Sequence, residues 1–305
     1  MINLQDMKKC ALYLMIGITR LLALFPLKFH YFWVDFIAWL LRSVVGYRRD
    51  VVAINLARAF PNAKYDELTE IARQYYKHVA EIAVEMLWFS GSNPSRLRKS
   101  GLVTIKNAAV LERAYNQSPG VVVLNSHCGN WEILGGLPHV ECSDLDSFPF
   151  PEEKIRCVYR ELTNKVSDEF FKRSRLAMSP NPDVVLESKK LLRHMLSHRN
   201  DKIVYLLTID QSPAAATQVD MGMFMSQHTY AFLGPAEVAH KFGFSVLYMN
   251  FDRIARGKYE VSFEEICADA SEMEPKAIIR TFYDKLESEI HRHPENWLWS
   301  HKRWK

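Results

Sequence analysis

The residues best suited to chemistry lie in one run, Val121-Val-Val-Leu-Asn-Ser-His-Cys-Gly-Asn-Trp-Glu132. An apolar β-branched stretch ends in a small polar turn carrying His127, and Glu132 follows at the start of an expected helix. A histidine side chain exchanges its proton near neutral pH, so it can take a proton from an attacking hydroxyl. A neighbouring carboxylate can set the imidazole tautomer and stabilise the imidazolium that forms. Along a continuous helix five residues turn through roughly 500°, so the two side chains would not share a face. They can meet only if His127 lies in the turn before the helix, and Gly129 and Asn130 suit such a turn. On spacing alone, a loop histidine beside an exposed glutamate competes with the functional reading; the strand-turn-helix context favours the latter. Cys128 adjoins His127, and a thiolate nucleophile is the weaker alternative, because neighbouring side chains in a turn usually point apart.

The elements that must position these groups follow a strand-helix alternation. Strands are expected over 121–124, 155–159, 203–209, 244–251 and 258–263, the last two joined by a turn at Arg256-Gly257. Helices are expected over 66–89, 162–174, 184–196, 235–242 and 276–291, with a further one opening at Trp131. This predicts an α/β fold with a largely parallel sheet flanked by helices. In such sheets ligands sit beyond the carboxyl ends of the strands. Three strands here run into polar residues, at His127, Arg160 and Asp210. If the strands are parallel, a base, a cation and a carboxylate converge on one cleft.

His127-Cys-Gly-Asn-Trp-Glu132 resembles the His-x4-Asp/Glu box of the lysophospholipid acyltransferase superfamily, and its aromatic-Glu ending most resembles the lipid A biosynthesis (lauroyl and myristoyl) acyltransferases. Val158-Tyr-Arg-Glu-Leu162, Ile209-Asp-Gln-Ser-Pro213 and Trp297-Leu-Trp-Ser-His-Lys-Arg303 are similar to three later boxes of that family, in the same order. The resemblance implies transfer of a fatty acyl chain from an acyl-carrier-protein thioester to a hydroxyl of a lipid A precursor. No covalent intermediate, metal or bound organic cofactor is implied. His127 would be the base and Glu132 its orienting partner. Arg160 and the backbone amides near Gly129 and Asn130 are the candidate oxyanion donors. Asp210 and Gln211 are candidates to hold Arg160 or the acceptor sugar, and His301 and Arg303 are further substrate-binding candidates. The chain departs from the family at Glu161, where proline is usual, and at Cys128, where an aromatic is usual.

Composition narrows the class. The chain has 305 residues with 48% hydrophobic content, enough to bury a large core and too apolar for a disordered chain. A net charge of +4 is too small for an extended nucleic-acid face but suits an anionic lipid surface. Five scattered cysteines without a CxxC pair argue against a disulfide framework or structural zinc. Residues 1–60 are read as a membrane-associated helical element and 61–305 as the acyltransferase domain. Residues 11–27 are apolar except for Thr19 and Arg20, and 31–46 is aromatic but holds Asp35 and Arg42. Neither is a clean span; an amphipathic or short anchoring pair in contact with membrane lipids is expected, flanked by interfacial aromatic and basic residues. The family resemblance puts it at the cytoplasmic face of the cell inner membrane. The C-terminal aromatic-basic tail could read lipid phosphates or dock on the sheet edge. Acylation of another amphiphile (an aminolipid or glycolipid) and non-catalytic lipid binding are the alternatives in function.

Overall fold

The computed structural model describes residues 4–179 and 181–304. The chain opens with α1 (Leu4–Ala23) and α2 (Leu27–Trp39), which meet at 115° across Pro26. A π turn and α3 (Arg49–Ala59) follow, then the long α4 (Tyr65–Ser90) and the short α5 (Pro94–Ser100). The α/β unit runs β1 (Val103–Ile105), α6 (Ala108–Gln117), β2 (Val121–Asn125), β3 (Glu141–Cys142), β4 (Ile155–Tyr159), α7 (Lys165–Arg175), β5 (Val185–Glu187), α8 (Leu191–Ser197) and β6 (Val204–Thr208). It closes with the hairpin β7 (Val219–Phe224) and β8 (Gln227–Ala231), α9 (Gly234–Phe242), β9 (Ser245–Ala255), β10 (Lys258–Cys267) and α10 (Pro275–Arg292).

Eight strands form one sheet in the order β3-β1-β10-β9-β2-β6-β4-β5, while β7 and β8 pair separately. Every neighbouring pair in the large sheet is parallel except β9–β10, an antiparallel hairpin. The central strands explain the burial on both faces. In β2, Val122 and Leu124 enter one core while Val121 and Val123 enter the other; in β6, Tyr205 and Leu207 alternate with Val204 and Leu206. The first core lies against α4, α8, α9 and α10, and the second against α5, α6 and the segment after His127.

Three local expectations are corrected. The segment 184–196 is not one helix: Val185–Glu187 pairs with β4 as a strand, and α8 begins only at Leu191. The β-branched valines sit beside an unfilled sheet edge, and strand pairing wins over helical periodicity there. The segment opening at Trp131 is a 3-10 helix, Trp131–His139, interrupted in its hydrogen bonding by Pro138. The helix expected from 162 starts at Lys165, where the Asn164 side chain accepts the Val166 and Ser167 amides.

α1 and α2 pack on α4, and α1 also meets α7. Their outer surface stays apolar: Leu14, Leu21, Leu24, Phe32, Trp33, Phe36 and Trp39 are exposed, with Leu24 at 72% and Phe32 at 76%. Among the described residues no single helix is long and apolar enough to cross a membrane, although the bent α1–α2 pair passes together by length and composition.

Candidate active site

β2 and β6 are parallel neighbours with Asn125 opposite Thr208. His127 and Asp210 each lie two residues beyond that pair, so the register itself brings them together. His127 Nδ1 is 2.6 Å from Asp210 Oδ1, and the His127 backbone N–H donates to Asp210 Oδ2 at 3.0 Å. Trp297 Nε1 donates to the same Oδ2 at 2.7 Å. Burial alone would raise the Asp210 carboxyl, but the His127 charge, its two hydrogen bonds and the Trp297 donor outweigh burial and hold it at about 2. An ionised carboxylate only accepts, so in the neutral ring Nδ1 carries the proton and Nε2 presents a lone pair. Gln211 Nε2 lies 3.0 Å from that nitrogen as donor.

The carboxylate beside His127 is therefore Asp210, whereas the sequence expectation assigned that place to Glu132. Glu132 accepts from Arg175 Nη2 at 2.9 Å and from Trp131 Nε1 at 3.2 Å. Two local features turn it that way. The 3-10 winding of residues 131–139 rotates side chains differently from an α-helix. Gly135 also lets this segment press against the end of α7: a Cβ there would lie 2.3 Å from the Arg175 carbonyl oxygen. Arg175 in turn lies over the rings of Tyr159 and Phe171.

The turn between strand and helix is tightly held. Gly129 has φ +61, and a Cβ there would come within 2.5 Å of the Phe251 carbonyl oxygen, so only glycine fits. Its N–H donates to Asn296 Oδ1 at 3.1 Å, and its carbonyl meets His78 Nε2 at 3.2 Å. Cys128 N–H donates to Ser126 Oγ, and the Asn130 side chain donates to Glu85 Oε2 at 2.8 Å. Gly129 and Asn130 are buried, and the Gly129 amide is already committed. The Gly129 amide thus goes to Asn296 and the Asn130 side chain to Glu85, so both residues build the turn, and neither of these two donors faces a ligand. Cys128 is also buried, beside the Glu289 carboxyl, and burial pushes its thiol well up, opposite to an activated nucleophile.

A cavity of about 710 Å³ opens at this sheet edge. His127, 15% exposed at its side chain, lies in its wall with Glu132, Arg160, Arg175, Gln211 and His301. Leu134, Val158, Leu206 and Leu298 supply apolar wall, and Tyr47 and Arg48 join from the N-terminal element. Of the three strand-end groups expected to converge, His127 and Arg160 line this cavity, while Asp210 is buried behind it against His127 Nδ1. Arg160 is exposed and makes no ion pair or hydrogen bond among the described residues, leaving its guanidinium free for a ligand. His301 faces the same cavity, and burial lowers its imidazole to about 4. Arg303 does not belong there. It lines a separate cavity of about 300 Å³ and is itself buried, with Nη2 donating to the Tyr230 carbonyl and Tyr283 Oη.

The tail is docked rather than laid at an interface: Trp297 and Trp299 are buried, Trp297 bridges to Cys128, and Asn55 Nδ2 donates to the Trp299 and His301 carbonyls. Arg175 escaped sequence reading because nothing local marks it; it approaches Glu132 only through packing of α7. Arg48 lies at the cavity wall and donates to the Ser300 carbonyl at 3.0 Å.

A base with its proton fixed on Nδ1, a free guanidinium and a mixed apolar cavity suit attack by a hydroxyl on an activated acyl group. A search of curated proteins finds no match to this chain. The family model described as bacterial lipid A biosynthesis acyltransferase matches residues 2–305. With the four sequence boxes gathered at one sheet edge and its flanks, the chain belongs to the bacterial lipid A biosynthesis acyltransferase family.

Proposed function

We propose that this acyltransferase moves a fatty acyl chain from an acyl-carrier-protein thioester to a hydroxyl of a lipid A precursor, with His127 as general base and no covalent enzyme intermediate. The observation that carries the reading is the 2.6 Å His127–Asp210 contact at the wall of a cavity shared with Arg160 and Arg175. The acceptor hydroxyl takes the place of the Gln211 amide at Nε2 and gives its proton to that nitrogen. Its oxygen bonds to the thioester carbonyl carbon, whose oxygen becomes the oxyanion. Arg160 is the group to stabilise that charge. Collapse breaks the carbon–sulfur bond, and the departing thiolate takes the proton back from Nε2. Asp210 orients the ring and stabilises its charged form throughout. Glu132 holds Arg175 in the wall. The leucines and Val158 favour an alkyl chain, at about 0.8 kcal/mol for each buried CH₂.

The exposed apolar face of α1 and α2 supports docking at the cytoplasmic face of the inner membrane, with exposed Lys9, Arg20 and Lys28 available to anionic lipid. Tyr47 and Arg48 join this face to the cavity wall, so an amphiphile can reach His127 without leaving the interface. The test supplies purified protein with acyl-carrier-protein thioester and precursor lipid, and follows product by mass spectrometry. Wild-type turnover by His127→Ala would reject the base. Acylation of an aminolipid or another glycolipid, with none of the lipid A precursor, would reject the acceptor.

A further inference from the structure

We infer that Glu85 and Tyr31 are positioning residues for the His127 turn, forming a buried polar relay that fixes the turn against the N-terminal helix α2. Tyr31, on α2, donates from Oη to Glu85 Oε1 at 2.7 Å. On the other oxygen, Glu85 Oε2 accepts from Asn130 Nδ2 at 2.8 Å and from Tyr259 Oη at 2.8 Å. Asn130 follows Gly129 directly in the turn, and its Oδ1 has no partner among the described residues, so Glu85 is the group that orients its amide. Glu85 is fully buried. A carboxyl kept out of water needs such donors, and here they come from α2, the turn and β10.

A parallel line of contacts runs one turn earlier along α4. Arg256 joins Asp35 of α2, at 3.2 Å, to Glu81 Oε1, at 2.9 Å. Glu81 lies 3.9 Å from His78 Nδ1, and His78 Nε2 meets the Gly129 carbonyl at 3.2 Å. His78, Glu81 and Glu85 are spaced three and four residues apart, so one face of α4 carries both lines. The two lines end on adjacent residues of the turn that holds His127. Displacing such a turn by even a fraction of an ångström misaligns a general base. The inference rests on His127 being the base, and it gives α2 a second task beside the lipid contact proposed above.

The experiment compares wild type, Tyr31→Phe and Glu85→Gln in mixed micelles, reading kcat and KM separately. Tyr31→Phe is expected to lower kcat about three- to tenfold with KM changed less than twofold, and to bind phosphatidylglycerol vesicles as wild type does. Glu85→Gln is expected to lose more, because its amide meets the Asn130 amide. The downfield Nδ1–H proton resonance of His127 should move in both variants, which a loss of stability alone would not cause. Unchanged kcat and an unmoved resonance in Tyr31→Phe overturn the relay, and that variant decides the matter if Glu85→Gln does not fold. An inactive His127→Ala beside a fully active Tyr31→Phe leaves the base standing and removes the relay. A kcat loss in Tyr31→Phe with no vesicle binding by wild type keeps the relay and removes the lipid contact.

Discussion

Asp210 holds both the ring and the backbone of His127: Oδ1 lies 2.6 Å from Nδ1 and Oδ2 accepts the His127 N–H at 3.0 Å. Replacing it by asparagine leaves the shape but offers an amide that can donate to Nδ1 and so select the wrong tautomer. Asp210→Asn should lower kcat by roughly 10³- to 10⁴-fold, as a triad carboxylate does when it becomes an amide. The double variant with His127→Ala should be no slower than His127→Ala alone, since the two act as a unit. Initial-rate measurements check this; independent, multiplying losses would show that Asp210 does not act through His127.

Glu132 and Arg175 form a partly buried pair, so removing either leaves the other charge without its partner in the cavity wall. Glu132→Ala and Arg175→Ala should each reduce kcat/KM, and the double variant should lose less than the sum of the two. A coupling of about 1–3 kcal/mol is expected from a double-mutant cycle. Strict additivity would mean that the contact at 2.9 Å has no bearing on turnover.

Burial pushes the Glu85 carboxyl up to about 7, against the partly offsetting donors Tyr31, Asn130 and Tyr259. An acid whose folded value lies above its ordinary 4.5 binds its proton more tightly when folded. Its stabilising contribution is present below about 4.5 and declines as pH rises, until it levels off above about 7. Glu85→Gln does not titrate there. The stability difference, wild type minus Glu85→Gln, should therefore fall between those two pH values in denaturant melts. A difference that is flat with pH would place the Glu85 titration elsewhere.

Cys128 should behave as an inert core thiol. It is 1% exposed with its thiol pushed up by burial and by Glu289. Native protein should resist iodoacetamide at this position, and Cys128→Ala should keep turnover within a few-fold of wild type. Peptide mapping after alkylation reads the first, and an acyl adduct trapped on Cys128 would replace the general-base scheme with a nucleophilic one.

The exposed face of α2 should govern lipid contact. Phe32→Ser with Trp33→Ser removes two large exposed aromatics, each worth about 1.5–3 kcal/mol when fully buried. Vesicle co-sedimentation should weaken at least tenfold. Unchanged binding would move the lipid contact away from α2.

The sequence by itself determined the strands that matter and where they stop. Strand segments at 121–124, 155–159 and 203–209 alternating with helical ones indicate a parallel, doubly covered sheet, and that sheet brings His127, Arg160 and Asp210 to one edge. The four boxes also named the family, because each combines residue types that rarely recur together in that order. Partnership was another matter. Which carboxylate serves His127 depends on the Asn125–Thr208 register and on a 3-10 winding that turns Glu132 to Arg175, and neither is encoded within one segment. The 184–196 segment carries a helical period, and only the open edge beside β4 made Val185–Glu187 a strand. The burial of Arg303 away from the cavity and the reach of Tyr31 to Glu85 join residues far apart in the chain. Local pattern specifies how a segment can fold; which distant side chains then touch is settled by close packing of the assembled core.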